Sequence, residues 1–301
     1  MSTPRLRRLT SLLFAPFLLG LANAADAPVT YTINLAPAMQ VGTKFSLITD
    51  ATDESQTHIA MTMPGTPAPQ KQEQDQQIIA HLEGEAEVLG VFPNNSIQKL
   101  AVTVKTFIAT SESQALPGLP VAGDKIVAEK NGANKVYTVN GQPASANVAK
   151  LLDEVIEMGD EKYTDQDVFG PTSPVAVNAT WPVNPTALIA GLKTSNDIEV
   201  SGAKGTMKLD AVKGHGADQV ATVTGLFTVE GAKPPLPPGM TVDSMIMSGG
   251  LAGTVPATAK GMEKETMTAS MQMAAHGSGS SIEIKIDSTG KQKKTSEKTF
   301  H

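Results

Sequence analysis

The chain has 301 residues, with 24 Lys and Arg against 30 Asp and Glu, a formal net charge of −6, and no cysteine. The lack of cysteine excludes disulfides and thiolate metal sites, so the fold must rest on its own core. The only arginines are Arg5, Arg7 and Arg8. The rest of the chain is acidic and has no guanidinium group, which argues against nucleic acid and anionic membrane surfaces as partners.

The N-terminal segment MSTPRLRRLTSLLFAPFLLGLANA has the three parts of a secretory signal peptide. A cationic start precedes an apolar run from Leu9 to Leu21, and Ala22-Asn23-Ala24 supplies the small-x-small cleavage pattern. The apolar run spans about 13 residues, too few for a transmembrane helix. We therefore expect a Sec-type signal peptide cleaved after Ala24, and a periplasmic or secreted protein that does not span the membrane after cleavage.

Most of the remaining sequence alternates with the period of a β-strand. The clearest strands are rich in β-branched residues and bounded by Gly, Pro, Asn or Asp; they are residues 99–110, 124–131, 134–141, 219–231 and 281–290. One amphipathic helix interrupts them between Ser145 and Gly159, where apolar residues recur at helical spacing. A shorter helical turn is expected within 161–169. These patterns predict a mainly β protein.

Two pairs of segments indicate an internal duplication. Residues 106–127 align with 226–247 at an offset of 120 positions, and residues 41–45 align with 177–181 at an offset of 136. The offsets differ by 16, which fits an insertion in the first copy. The Pro- and Gln-rich segment 64–77 has about that length, and we expect it to be a loop.

The expected fold is therefore two similar antiparallel β-rich halves joined by one amphipathic helix. The tail KQKKTSEKTFH is basic and has almost nothing apolar to bury, so we expect it to be disordered. The predicted boundaries are a signal peptide at 1–24, a first β half at 25–143, a connecting helix at 144–159, a second β half at 160–290 and a disordered tail at 291–301.

The aligned segments place the single tryptophan, Trp181, at the position of Phe45, and Phe107 at the position of Phe227. An aromatic side chain is well suited to fill a core that has few other large residues. We expect Trp181 to be a buried structural residue rather than a platform for a ligand.

Methionine is the unusual residue of this chain. Seven of the 13 methionines fall within residues 240–273. Residues two apart on a strand share a face, and flexible thioether side chains suit either an adaptable cavity wall or an irregular closed core. We expect Ile246 and Gln272 to face away from the methionines. The candidate ligand-cavity residues are Met245, Met247, Met271 and Met273.

Thioethers also suit Cu(I) and Ag(I), which makes metal binding a less favoured hypothesis. On unbroken strands, His58 and His276 lie at odd offsets from the nearby methionines and face the other side of the sheet. The candidate ligands are His58, Met61, Met63, Met271, Met273 and His276. The sequence contains no motif for a catalytic nucleophile, a zinc protease or a phosphate-binding loop. We expect neither a cofactor nor enzyme activity.

Four segments carry a resemblance to known proteins: VGTKF (41–45), SPVAVNATW (173–181), ALPGLPVAGDKIV (115–127) and KPPLPPGMTVDSM (233–245). They resemble a domain of unknown function found in uncharacterised exported β-rich bacterial proteins. The expected architecture is also similar, more distantly, to periplasmic lipoprotein carriers. That similarity implies a curved antiparallel sheet with helices over its concave face and an apolar cavity between them, and it implies no catalytic residue.

Three functions follow as hypotheses. The first is a non-enzymatic exported carrier or binding protein for an apolar or amphipathic small molecule of the cell envelope. The second is a structural or protein-interaction module of the bacterial envelope, with another envelope protein as partner. The third, Cu(I) or Ag(I) binding through the Met-x-Met pairs, is less favoured. An enzyme is also a less favoured alternative, because the sequence shows no nucleophile–base pair and no set of metal ligands.

Overall fold

Strands account for 61% of the protein and helices for 11%, which confirms the mainly β prediction. The computed structural model describes residues 28–63, 68–112, 114–132, 134–196, 198–234, 236, 239–278 and 283–301. The expected signal peptide lies outside these residues. Within them, no helix combines the length and apolar character needed to cross a membrane.

The N-terminal part of the chain contributes eight strands and one helix. They are β1 (Thr30–Tyr31), β2 (Lys44–Thr62), β3 (Gln70–Val91), β4 (Ile97–Ser111), β5 (Gln114–Ala115), β6 (Lys125–Asn131), β7 (Asn134–Val139), β8 (Gln142–Pro143) and α1 (Ala146–Val155). The C-terminal part adds α2 (Asp165–Phe169), β9 (Val175–Ala176), β10 (Thr180–Pro182), α3 (Pro185–Asn196), β11 (Gly202–Lys213), β12 (Val220–Glu230), β13 (Met240–Pro256), β14 (Gly261–Ser278) and β15 (Glu283–Phe300).

Thirteen of the described strands form one antiparallel sheet. Its order is β10-β11-β12-β13-β14-β15-β2-β3-β4-β6-β7-β8, with β5 beside β4, while β1 and β9 pair separately. Strands that follow each other in the chain are therefore mostly neighbours in the sheet. The main exception is β15, which pairs with both β14 and β2. It thereby joins the N-terminal and C-terminal strands into one sheet.

The C-terminal segment 291–301, which we expected to be disordered, forms the second half of β15 up to Phe300. The prediction was wrong because it counted only apolar side chains. Backbone hydrogen bonds to neighbours on both sides satisfy the polar groups of this strand. Phe300 also packs against Phe45, with ring centroids 5.4 Å apart.

The polar segment 64–77 is also not a loop throughout. Its residues from Gln70 onwards begin β3 and pair with β2, from Gln70 opposite Met61 to Gln77 opposite Glu54. The side chains there are mostly exposed, so the pairing of the backbone holds this stretch in the sheet. Composition alone does not reveal such pairing.

One face of the sheet carries the core, and we call it the inner face; the opposite face is the outer face. Over the N-terminal strands of the sheet, α1 lies against β2, β3 and β7. Ser145 caps this helix by accepting a hydrogen bond from the Val148 backbone N–H, and its buried residues include Leu151, Leu152 and Val155. These side chains join the core cluster that contains Phe45 and its strand neighbours.

Over the C-terminal strands of the sheet, the helices α2 and α3 cover the inner face beside β10 and β11. The expected turn at 161–169 corresponds to α2, whereas α3 was not predicted. A signal for it was present, since Pro185 is favoured at a first helical position and Asn184 is a strong N-cap residue. The Asn184 side chain accepts hydrogen bonds from the backbone N–H groups of Thr186 and Ala187.

Trp181 is 7% exposed and lies in the second core cluster. Its indole Nε1 donates a hydrogen bond of 2.6 Å to the carbonyl oxygen of Phe169 at the end of α2. The prediction of a buried, structural tryptophan is confirmed. This hydrogen bond connects the edge strand β10 to the end of α2.

Candidate functional site

The four candidate methionines lie opposite one another on the inner face. Met245 pairs with Met273 and Met247 pairs with Met271 across β13 and β14, while Ile246 opposite Gln272 faces outwards. All four methionine side chains pack in or against the core cluster around Trp181. The four methionines therefore share one face of the sheet, as predicted. The cavities described below are lined by other residues.

The candidate copper ligands are not brought together. His276 lies on the outer face, where its Nδ1 is 2.6 Å from Asp243 Oδ1, whereas Met271 and Met273 face inwards. His58 and Met61 are three positions apart on β2 and so face opposite sides of the sheet. Met63 lies beyond the end of that strand.

The structure shows a cavity of about 130 Å³ at another place on the inner face, between the sheet and the segments that cross it. Phe45, Leu47 and Leu100 form part of its apolar wall, together with Met39 and Met158. Residues 94–97, which lead into β4, and residues 157–159 after α1 also line it.

Gly159 shows how closely those two segments approach each other. Its N–H donates a 2.8 Å hydrogen bond to the Ile97 carbonyl oxygen. A Cβ atom at this position would lie 2.7 Å from the Ile97 nitrogen, so only glycine fits without a shift of the backbone. The two segments that line this side of the cavity are therefore held together by a close backbone contact.

Glu157, Asp165, Glu263 and Lys298 line one end of the cavity, and we call them, together with their neighbours Glu265 and Lys294, the ionic cluster. Lys298 Nζ lies 2.6 Å from Glu263 Oε1 and 3.5 Å from Glu157 Oε2, and Lys294 Nζ lies 3.5 Å from Glu157 Oε1. The Lys298 and Glu263 side chains are only 14% and 10% exposed. The cluster consists of Glu157, Asp165, Glu263, Glu265, Lys294 and Lys298.

Burial and neighbouring charges both shift the pKa values of these groups. Burial raises the pKa of the Glu157 carboxyl, but the positive charges of Lys294 and Lys298 outweigh it and lower that pKa to about 2. Burial of Glu265, together with the negative charges of Glu157 and Asp165, raises its pKa to about 8. Burial lowers the pKa of Lys298, but the carboxylates of Glu263 and Glu157 outweigh that effect and raise it.

Two hydroxyl groups beside the ionic cluster are buried without a hydrogen-bond partner among the described residues: Thr49 Oγ1 and Ser296 Oγ. Thr49 is 0% exposed and Ser296 is 4% exposed. Ser296 lines the cavity and lies opposite Thr49 on one side and opposite Glu265 on the other. Opposed residues on antiparallel strands have Cβ atoms about 4.5–5.5 Å apart, so the three polar groups form one row across the inner face.

The sequence carried a signal for this cluster that we did not use. Glu263 and Glu265 are two positions apart in GMEKETM, and Lys294, Ser296 and Lys298 follow the same period in KKTSEK. Each set lies on one face of its strand. The two sets meet only because β14 and β15 are neighbours in register.

The ionic cluster combines carboxylates with lysines, and among the described residues no group of three or more His, Cys, Asp or Glu side chains is arranged to hold a metal ion. Its lysines occupy the space between the carboxylates. Its carboxylates can accept hydrogen bonds from a ligand and attract a positively charged group. Glu265, with its pKa raised to about 8, can gain or lose a proton near neutral pH.

Comparison with known proteins adds no family. No family model matches the chain, and no curated protein sequence matches it. Among solved structures, it is weakly similar to an outer membrane channel from Pseudomonas putida F1. The identity is 9%, the match covers 89% of this chain and 99% of that one, and the TM-score is 0.16. A TM-score this low supports no inference about fold or function.

Proposed function

We propose that this protein is a non-enzymatic carrier or binding protein for an apolar or amphipathic small molecule of the cell envelope. The observation that supports the proposal best is the inner-face cavity, which has an apolar wall and a charged end. Binding sites for small molecules are usually concave, mostly apolar and equipped with a few placed polar groups. The ionic cluster and the Ser296 hydroxyl are such groups.

The size of the cavity limits what it holds. An apolar cavity of about 150 Å³ accommodates a molecule the size of benzene, and this one measures about 130 Å³. It therefore fits one end of an amphipathic molecule. The remainder would extend past the rim, where Asp165 begins α2.

Two further parts of the proposal rest on the sequence. Export through the signal peptide at residues 1–24 would place the protein in the periplasm or the medium. Duplication of a β-rich half would account for the aligned segments. In the sheet, β2, β3 and β4 are successive neighbours, and so are β10, β11 and β12. Phe45 and Trp181 lie on the first strand of each run, and Phe107 and Phe227 lie on the third, which supports the duplication.

The proposal is tested by titration with a neutral hydrophobic dye, N-phenyl-1-naphthylamine, whose fluorescence rises in apolar surroundings. We expect saturable binding at one site per chain. Met158→Trp, which adds bulk to the cavity wall, should weaken binding at least tenfold. The matched control is Met262→Trp, because Met262 is 51% exposed and does not line the cavity; it should bind as the unchanged protein does.

Circular dichroism must show that both variants are folded. Equal binding by the two variants would exclude the cavity as the site. The four candidate methionines, Met245, Met247, Met271 and Met273, would then be tested as the location, where Met271→Lys should weaken binding. An absence of saturable binding by the unchanged protein would contradict the proposed function.

The alternative function, a protein-interaction module of the envelope, is supported by the outer face. Two open grooves of about 690 Å³ and 870 Å³ share Leu226, Thr228 and Gly250 among their lining residues. Leu226 is 73% exposed, and a large exposed apolar side chain in a groove is a typical anchor point for a partner. If this function is right, Leu226→Asp should abolish the retention of a purified envelope partner without altering dye binding.

A further inference from the structure

The ionic cluster contains more acid than base. It has four carboxyl groups against two ammonium groups, an excess of two negative charges when all six are ionised. Both lysines already lie within 3.5 Å of a carboxylate. Glu265 has no ion-pair or hydrogen-bond partner among the described residues, although it is half-buried. This carboxyl therefore offers acceptor oxygens that the protein itself does not use.

The two neighbours of Glu265 in the row offer acceptors as well. Ser296 Oγ and Thr49 Oγ1 are buried and unpartnered, and a buried polar group without a hydrogen bond costs free energy. A ligand that supplies donors to these hydroxyls would recover that cost. Ser296 lines the cavity, and Glu265 and Thr49 flank it in register on the two neighbouring strands, just outside the lining residues.

A protonated primary amine matches this row. Its ammonium group carries one positive charge and three N–H donors and has no acceptor, which gives one donor for each of the three residues. A carboxylate head group would face an excess of negative charge. An uncharged alcohol would leave the charge excess uncompensated.

We propose that the charged end of the cavity binds the protonated amino group of an amphipathic primary amine, with Ser296 on the cavity wall and its register neighbours Glu265 and Thr49 as hydrogen-bond acceptors. This inference rests on the proposed binding function and names the class of ligand. The apolar wall formed by Phe45, Leu47 and Leu100 holds the first carbons of the chain that follows the amino group.

The geometry also predicts how pH affects binding. Glu265 must be ionised to attract the ammonium group, and its pKa of about 8 in the free protein means that it is mostly protonated below that pH. Affinity should therefore rise between pH 6 and pH 8.5, while the amine itself stays protonated. The charged groups that face Glu265 from the surrounding elements are Glu157, Asp165, Glu263, Lys294 and Lys298.

The test uses three probes with the same six-carbon chain: hexylamine, hexanol and hexanoate. Calorimetric titration at pH 8.5 should give a dissociation constant for hexylamine at least tenfold lower than for the other two. Glu265→Gln should remove that preference and its dependence on pH while leaving hexanol binding unchanged. Ser296→Ala should weaken hexylamine binding at least tenfold, the equivalent of one hydrogen bond to a charged group.

The matched control is Glu297→Gln, one position from Ser296 on the same strand but on the outer face, where Glu297 lies 3.3 Å from Lys264. It should bind all three probes as the unchanged protein does. Equal or tighter binding of hexanol or hexanoate would overturn the amine selectivity and leave the cavity as a binding site. A preference for hexylamine that survives Glu265→Gln would overturn the role of Glu265. If no probe and no dye binds, the proposed function itself fails.

Discussion

Lys298 Nζ on the last strand lies 3.5 Å from Glu157 Oε2, two residues beyond the end of α1. The same nitrogen is 2.6 Å from Glu263 Oε1 on β14. One largely buried ammonium group therefore connects the C-terminal strand, its neighbour in the sheet and the segment that covers the cavity. The site and the join between the two parts of the sheet depend on the same side chain.

Replacing Lys298 by methionine should destabilise the protein by about 3 kcal/mol, because it leaves the buried Glu263 carboxylate unpaired. The measurement is urea unfolding followed by circular dichroism. Lys285→Met is the control on the same strand, since Lys285 and its partner Glu283 are 67% and 54% exposed. It should stay within about 0.5 kcal/mol of the unchanged protein. A similar loss of unfolding free energy in both variants would mean that burial does not increase the contribution of Lys298 to stability.

Glu265→Gln should change how stability depends on pH. The raised pKa of about 8 means that the folded protein keeps this proton while the unfolded chain, with a value near 4.5, has lost it. Stability contributed by the protonated carboxyl is therefore lost as pH rises from about 4.5 to 8. Glutamine stays neutral, so the variant should be more stable at pH 8.5, on the order of 2 kcal/mol, and similar near pH 4.5.

Unfolding curves of Glu265→Gln at several pH values test this directly. Glu263→Gln is the contrasting variant, because it weakens the contact with Lys298 and should lower stability at neutral pH. If Glu265→Gln were less stable than the unchanged protein at pH 8.5, the carboxyl would have a stabilising partner in solution.

The amide groups of residues 291–300 should exchange slowly with deuterium. They belong to a strand that is paired on both sides, between β14 and β2, and such amides open only with large parts of the sheet. Hydrogen exchange followed by mass spectrometry should show protection similar to that of residues 44–53 of β2. Exchange as fast as in an unfolded peptide would restore the prediction of a disordered tail.

Trp181→Phe should cost about 1–3 kcal/mol, because the Phe169 carbonyl oxygen loses its donor inside the core. Urea unfolding followed by circular dichroism measures the loss. Leu226→Ala on the exposed outer face is the control and should have little effect. A loss below about 0.3 kcal/mol for Trp181→Phe would mean that the indole fills space and that its hydrogen bond contributes nothing.

The sequence by itself determined the local structure and much of its orientation. Alternation predicted the strands, helical spacing predicted α1, and the two-residue period placed Met245 and Met247 on one face with Ile246 on the other. It also predicted the burial of Trp181. These features depend on residues close together in the chain, whose relative directions are set by backbone geometry alone.

Only the tertiary structure decided which strands are neighbours. The period of a strand shows that Lys294, Ser296 and Lys298 share a face, but it does not show that the face lies opposite Glu263 and Glu265. The tail looked solvated because its inward side chains are polar and charged, and they are buried only because carboxylates on β14 and beside α1 neutralise them. Charge compensation between distant segments leaves no apolar pattern in the local sequence, so the burial of these side chains could not be predicted from it. The candidate site forms only because β15 pairs with β14 and β2.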